Sequence, residues 1–517
     1  VNMTGPAYNG GARIKNVETL QVGTNLAAAT FDYNVNAGSN EVTEVTTIVA
    51  DQINVNERLN VTNILKTGSA IPTLKWDNEA SSTAGTFAAT FRDSTVSGDT
   101  EVKLVLDDVK ALNSDATTGR FNLGTGANAS VETLRVVSQG STTNTLNASS
   151  NNDGTAVDLV GASTDGVADN GALKTVIVEG AQAFGKAAEL VTDTTEANYG
   201  LMNRTTNGTN DLGATTKATA ANLVSLAATV TTLDASAATG DTNIRFTGRV
   251  DGAEVAVTYK GGKANDYVEF QQGNVNATGG DGNDTFAFVN AQNNSTLTTA
   301  DTIVGGAGTD TIQMGVNGVG SYNLETTEFN NKSGIDVLDM RGLINTVKLS
   351  DSFVTGSDAG LTVRTDKIVQ TSATSSANDS VNKANNFIED QTTNTIDLTA
   401  LAANRAVTVT GGSGSDRLLV NEVALNSSIV FDGGANAGGT SAAISQNATK
   451  ADYDTLTVLN SAVLSRGDLS NIKGIEGIVL TENVTGNSVF TIELTEAFVL
   501  ANTAASDSGS TSGVKSR

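Results

Sequence analysis

Gly261-Gly262-Lys263-Ala264-Asn265-Asp266-Tyr267-Val268-Glu269 stands eighteen residues ahead of Gly279-Gly280-Asp281-Gly282-Asn283-Asp284-Thr285-Phe286-Ala287. Asp301-Thr302-Ile303 and Gly305-Gly306-Ala307-Gly308-Thr309-Asp310-Thr311-Ile312-Gln313 follow, their aspartates nine residues apart. All fit the nonapeptide G-G-x-G-x-D-x-U-x, with U apolar, the repeat of a calcium-binding β-solenoid. In such a roll each repeat supplies one turn and one short strand, and two repeats complete a coil. The eighteen-residue step therefore puts Asp266 and Asp284 on the same edge of neighbouring coils, about 4.8 Å apart. Two carboxylates that close repel unless a cation lies between them. Calcium suits the gap, since it takes about six to eight oxygen ligands in a flexible geometry. The glycines let the backbone reach positive φ and turn carbonyls towards an ion. Val268, Phe286, Ile303 and Ile312, two residues after each aspartate, point inward. The alternative is a run of Gly-Asp turns between ordinary strands.

Outward from this stretch the chain reads as strands and turns. Val17–Val22, Thr46–Val49, Ile53–Val55, Leu59–Val61 and Val102–Leu106 are short β-type runs separated by Gly, Asn, Ser and Thr. Residues 141–165 and Thr371–Asn386 are polar and read as surface loops. Ala220–Leu226 has the spacing of one apolar helical face and is expected to form a short helix. Similar strands recur at Ile14–Leu20, Ser130–Val136, Ser333–Leu338 and Lys473–Val479, with Leu173–Val178 a looser relative; a role in packing accounts for them. A second Gly-rich patch, Gly411-Gly412-Ser413-Gly414-Ser415-Asp416, follows Val407–Thr410. Asp432-Gly433-Gly434 opens another repeat, whose end reappears after an insertion at Asp454–Val458. The expected fold is all-β, an elongated right-handed parallel β-solenoid or β-roll with little helix. Its segments are a solenoid-like region 1–255, a calcium roll 256–320, a β-rich region 321–404, a second roll 405–505 and a flexible tail 506–517.

Composition narrows the chemistry. The chain of 517 residues has 53 Gly, 2 Pro and 4% aromatics, which favours narrow stacked strands over a thick core. The net charge of −25 comes from only 31 Lys and Arg against 56 Asp and Glu. No basic patch is present to displace counterions from nucleic acid. With no Cys, disulfides and thiolate metal sites are excluded; with no His, histidine triads and His-ligated zinc are excluded. No apolar run approaches the length of a membrane span.

The Gly/Asp repeats followed some twenty-odd residues later by a Glu-Thr-Leu-like strand, as Asp310 precedes Asp336 and Asp454 precedes Glu476, resemble RTX-type surface-layer proteins of Gram-negative bacteria. The resemblance covers 256–320 and 405–480; elsewhere it lies in composition and strand style. It implies type I secretion, folding outside the cell in calcium, and self-assembly into a two-dimensional cell-surface lattice, a structural and not an enzymatic role. It also implies attachment to a cell-surface anchor, such as lipopolysaccharide, through a part outside this chain. Carried over by motif, the calcium ligands are Asp266, Asp284, Asp301, Asp310 and Asp416, with Asp454 from the interrupted repeat. Asp281, Asn283 and the turn glycines Gly262, Gly280, Gly282, Gly306, Gly308, Gly412 and Gly414 surround them. Val275 and Val407 stand where the family has Asp, so some turns should lack an ion.

Two other classes fit the residues less well. An RTX adhesin segment would show tandem immunoglobulin-like modules, which are not seen. A β-helical polysaccharide lyase or epimerase would want aromatic platforms, and Trp76 is the only tryptophan. Spacing also suggests a fragment: Val458 stands eighteen residues before Glu476 and Val1 seventeen before Glu18, so a further repeat is expected upstream of Val1.

Overall fold

A computed structural model describes residues 2–3, 7–8, 17–33, 44–66, 69–92, 100–110, 120–125, 131–146, 173–186, 190–192, 216–218, 223–226, 229–246, 248–250, 253–289, 297–315, 321–341, 344–357, 360–365, 393–411, 415–422, 424–425, 428–434, 454–459, 463–475, 477–481 and 491–502. The fold is an all-β parallel solenoid. Among the described residues the only helices are Asp351–Thr355 and Glu496–Ala501, and none is long and apolar enough to cross a membrane. The chain divides into two compact units: Val1–Ala287 with Ala300–Asp310, and Phe288–Thr299 with Thr311–Arg517.

In the first unit one parallel ladder runs from Thr19–Thr24 through Thr47–Asp51, Thr73–Asp77, Glu101–Asp107, Thr133–Gln139, Thr175–Gly180, Thr232–Ala238, Val257–Lys260 and Val275–Asp281 to Thr302–Ala307. The period of two explains its strands. Val102, Leu104 and Leu106 are buried while Lys103 and Val105 face outward. A facing sheet runs through Ala29–Asp32, Arg58–Ile64, Thr86–Phe91 and Arg120–Thr125. Further along, Val224–Ser225, Asn243–Phe246 and Tyr267–Phe270 form its counterpart. Four buried rings of this unit pair up: Trp76 meets Phe87 edge-on at 6.0 Å and Phe246 stacks on Phe270 at 5.8 Å.

The second unit has two parallel ladders. One takes Thr311–Met314, Val337–Met340, Leu361–Arg364, Val407–Thr410, Ile429–Asp432 and Ile472–Lys473. The other takes Ser321–Leu324, Ile344–Lys348, Thr393–Asp397, Ser415–Asn421, Thr455–Leu459 and Gly477–Thr481.

Three expectations are corrected. Ala220–Leu226 is not a helix where it is described: Val224–Ser225 is a strand paired in parallel with Ile244–Arg245, and Ala220–Asn222 lie outside the described residues. A run of seven residues is too short to hold a helix alone, and a neighbouring strand offers its backbone partners directly. Ile53–Val55 is not a strand: Asn54 makes only an isolated bridge, to Ala84, and the chain turns at Val55 and Asn56, the latter at φ 66°. In the stretch read as a surface loop, Asn144 and Leu146 are fully buried. Residues 147–165 of that loop, Thr371–Asn386 and the tail 506–517 lie outside the described residues.

Candidate functional site

The Gly-rich turns form one edge of the first unit, where each coil repeats the last. Asp266 pairs by register with Asp284, and Asp284 with Asp310, since each backbone N–H donates to Oδ1 of the next aspartate at 2.8 Å. The Thr242 N–H does the same to Asp266, at 2.7 Å. Each carboxylate thus caps the coil before it. All three aspartates are buried.

A second ladder runs beside the first in the opposite sense. Asn265 Oδ1 accepts from the Asn283 N–H at 2.7 Å, and Asn283 Oδ1 from the Thr309 N–H at 2.8 Å. Asn283 Oδ1 thus serves as a cap for the backbone of the next coil. Asp281 closes its strand opposite Ala307, its N–H donating to the Gly262 carbonyl and its side chain exposed.

The glycines are required by crowding. Gly280 and Gly306 stack over Gly262 and Gly280 in turn, and Gly308 over Gly282, with φ between 111° and 129° from Gly280 to Gly308. At the first place of each repeat the contact is with the carboxylate itself. A Cβ on Gly279 would lie 2.1 Å from Asp284 Oδ2 and 2.4 Å from the Gly305 carbonyl oxygen. A Cβ on Gly261 would lie 2.7 Å from Asp266 Oδ2 and 1.8 Å from the Gly279 carbonyl oxygen. Carboxylate and carbonyl oxygens therefore converge over one backbone position in each coil.

How those oxygens are satisfied differs between coils. Asp266 Oδ2 accepts from the Tyr259 hydroxyl at 2.7 Å and the Gly262 N–H at 3.0 Å. Asp284 Oδ2 is buried with no hydrogen-bond partner. Burial lifts Asp266 to about 6, held back by its three donors. Burial lifts Asp284 to about 8; the Asp266 N–H pulls it down while Asp266, Asp310 and Asp241 push it further up.

In the second unit the arrangement recurs at Asp416 and Asp454. The Asp416 N–H donates to Asp454 Oδ1 at 2.7 Å, across the insertion. A Cβ on Gly411 would meet Asp416 Oδ2 at 2.5 Å and the Gly433 oxygen at 2.3 Å; one on Gly433 would meet Asp454 Oδ2 at 2.8 Å and the Gly474 oxygen at 2.2 Å. Gly412 and Gly414 lie outside the described residues. Asp301 sits on the other edge of the first unit, its Oδ1 accepting from the Val275 N–H at 2.7 Å, with Val275 one residue before the Asn276–Thr302 pair of the ladder.

Where the Gly-rich turn is missing, asparagine takes the same place. Asn144 Oδ1 accepts from the Val109 N–H at 2.8 Å, and its amide donates to the Gln139 carbonyl and the Ser138 hydroxyl. In the second unit Asn345 and Asn394 precede Asp416 in register, each amide donating to the next side chain, at 2.6 and 2.8 Å. Sequence reading missed Tyr259 and these asparagines. For Asn265 and Asn283 the eighteen-residue spacing was a usable signal; for Asn345 and Asn394 the 49-residue gap hid it.

Among the described residues no three acidic side chains gather at one point. The donor set available to a cation is one or two carboxylate oxygens with converging turn carbonyls. That is hard-oxygen chemistry, and the unpartnered Asp284 Oδ2 fits a dication of the calcium kind. Comparison with protein families, curated proteins and solved structures finds no match.

Proposed function

We propose that this chain is a structural protein, a calcium-stabilised solenoid that acts outside the cell, at its surface, by assembling with copies of itself into a two-dimensional layer. The observation that carries the reading is Asp284: a carboxylate buried between two others in the ladder, with one oxygen crowded beside the Gly305 carbonyl and given no donor. An uncompensated buried carboxylate is expensive, and proteins resolve it with a proton, a partner or a metal. Asp284, with the Gly279 turn and the Gly305 carbonyl, would hold the ion, as would Asp416 and Asp454 over Gly411 and Gly433. Bound calcium supplies positive charge and several oxygen-coordination positions there. The chain's own residues do the rest: Oδ1 ties each coil to the previous one, and the asparagine ladder ties it to the next. Stacked turns, lacking histidine and cysteine nearby, suit a mechanical and not a catalytic role.

The surface-layer part of the proposal rests on the resemblance of repeats and composition. Circular dichroism and light scattering in calcium and in excess chelator test the first part, and electron microscopy the second. Loss of β-structure and of ordered arrays on chelation is expected. Unchanged spectra and particle size would contradict the calcium role; calcium-dependent folding without arrays would contradict the layer.

A further inference from the structure

We infer that the Tyr259 hydroxyl stands in for a cation in the coil of Asp266, so that the ion column of the first unit begins at Asp284. This rests on the calcium reading of the turns and adds to it which turns are filled. The two coils are otherwise alike. Both place an aspartate Oδ2 beside a turn carbonyl over the first glycine of the repeat, Gly261 or Gly279. Both give Oδ1 to a backbone N–H of the preceding coil.

The difference lies seven residues before the aspartate. Tyr259, Ala277, Ile303 and Val409 precede Asp266, Asp284, Asp310 and Asp416 by seven, and Tyr259, Ala277 and Ile303 are neighbours in one ladder. Only the first of these side chains carries a donor. Tyr259 is 1% exposed, and its hydroxyl lies 2.7 Å from Asp266 Oδ2. With the Gly262 and Thr242 N–H groups, Asp266 has three donors on two oxygens. A carboxylate so supplied has little left to offer a metal, and the phenol fills the approach. One coil later Ala277 ends short of the carboxylate, and Asp284 Oδ2 is left buried without a donor. Tyrosine thus terminates the column as asparagine does at Asn144, where an amide meets the carbonyl instead of an ion.

Bound calcium per chain, counted by equilibrium dialysis on the full chain, tests this with three variants. Asp284→Asn should lower the count by at least one, and Asp266→Asn should leave it unchanged. Tyr259→Phe keeps the buried ring but removes the donor, and should raise the count by one. A tyrosine that merely packs would leave the Tyr259→Phe count at the wild-type value, which overturns the inference. So does a loss in Asp266→Asn equal to that in Asp284→Asn, a readout independent of whether Tyr259→Phe folds. A wild type that binds no calcium overturns the calcium reading itself and this inference with it.

Discussion

A methyl group at Gly279 would have nowhere to go, because the Asp284 carboxylate and the Gly305 carbonyl both occupy its place. Neither neighbour is the loose end of a flexible side chain: one is backbone and the other is tied to the Asp266 N–H. Gly279→Ala should therefore cost about 3 kcal/mol or more, at the upper end of single substitutions. Gly467, whose added Cβ would meet nothing nearer than the Ser465 hydroxyl at 3.6 Å, is the control: Gly467→Ala should stay within about 0.5 kcal/mol in urea titrations. Asp284 is the sharper probe. Asp284→Asn keeps an oxygen for the Asp266 N–H and removes a buried charge. In chelator the variant should melt above the wild type, and in calcium below it; the same order in both conditions would contradict the role given to this carboxylate. The aspartates at these places were legible from the eighteen-residue step alone. The tyrosine beside one of them was not, because its effect comes from a neighbour seven residues away that only the coil brings close.

At the level of elements, the turns hold by side-chain ladders as much as by strand pairing. Asn283→Ala strips the acceptor from the Thr309 N–H, which should cost about 1 kcal/mol and speed hydrogen exchange at the Thr309 amide. The short helix Asp351–Thr355 shows a different device. Ser350 caps its start, and Arg405 grips Asp351 through two bonds of 2.6 Å. Arg405 first, then the Ala402 N–H, holds Asp351 down at about 2, below its ordinary 3.8. A depressed acid stabilises the fold above its unfolded value and loses that contribution as pH falls through the folded one. The melting-point difference between wild type and Asp351→Asn should be constant above about pH 5, shrink as pH falls through 3.8 towards 2, and vanish below that. Strands with strict alternation, such as Glu101–Asp107, were readable in advance. Ala220–Leu226 was not, since a short apolar run fits either period and the parallel partner at Ile244–Arg245 decides it.

For the molecule as a whole, each coil of a solenoid leans only on its neighbours, so stability is local along the axis. The repeat register, the parallel strands and the scarcity of helix could be read from residues 261–314 outward. The asparagines at 144, 345 and 394 could not, because they carry no glycine signature and are joined by long connections. Among the described residues, some coils are thus closed by amides and others around acids. The protein should respond to calcium coil by coil and not as one body. Hydrogen exchange with and without excess chelator measures this most directly. The Asp266 and Asp284 amides, bonded to the carboxylates of Asp284 and Asp310, should lose protection in chelator, while the Val109 amide on Asn144 keeps its own. Equal protection of the Asp266 and Asp284 amides in calcium and in chelator would contradict the claim that a dication holds these acid-lined turns shut.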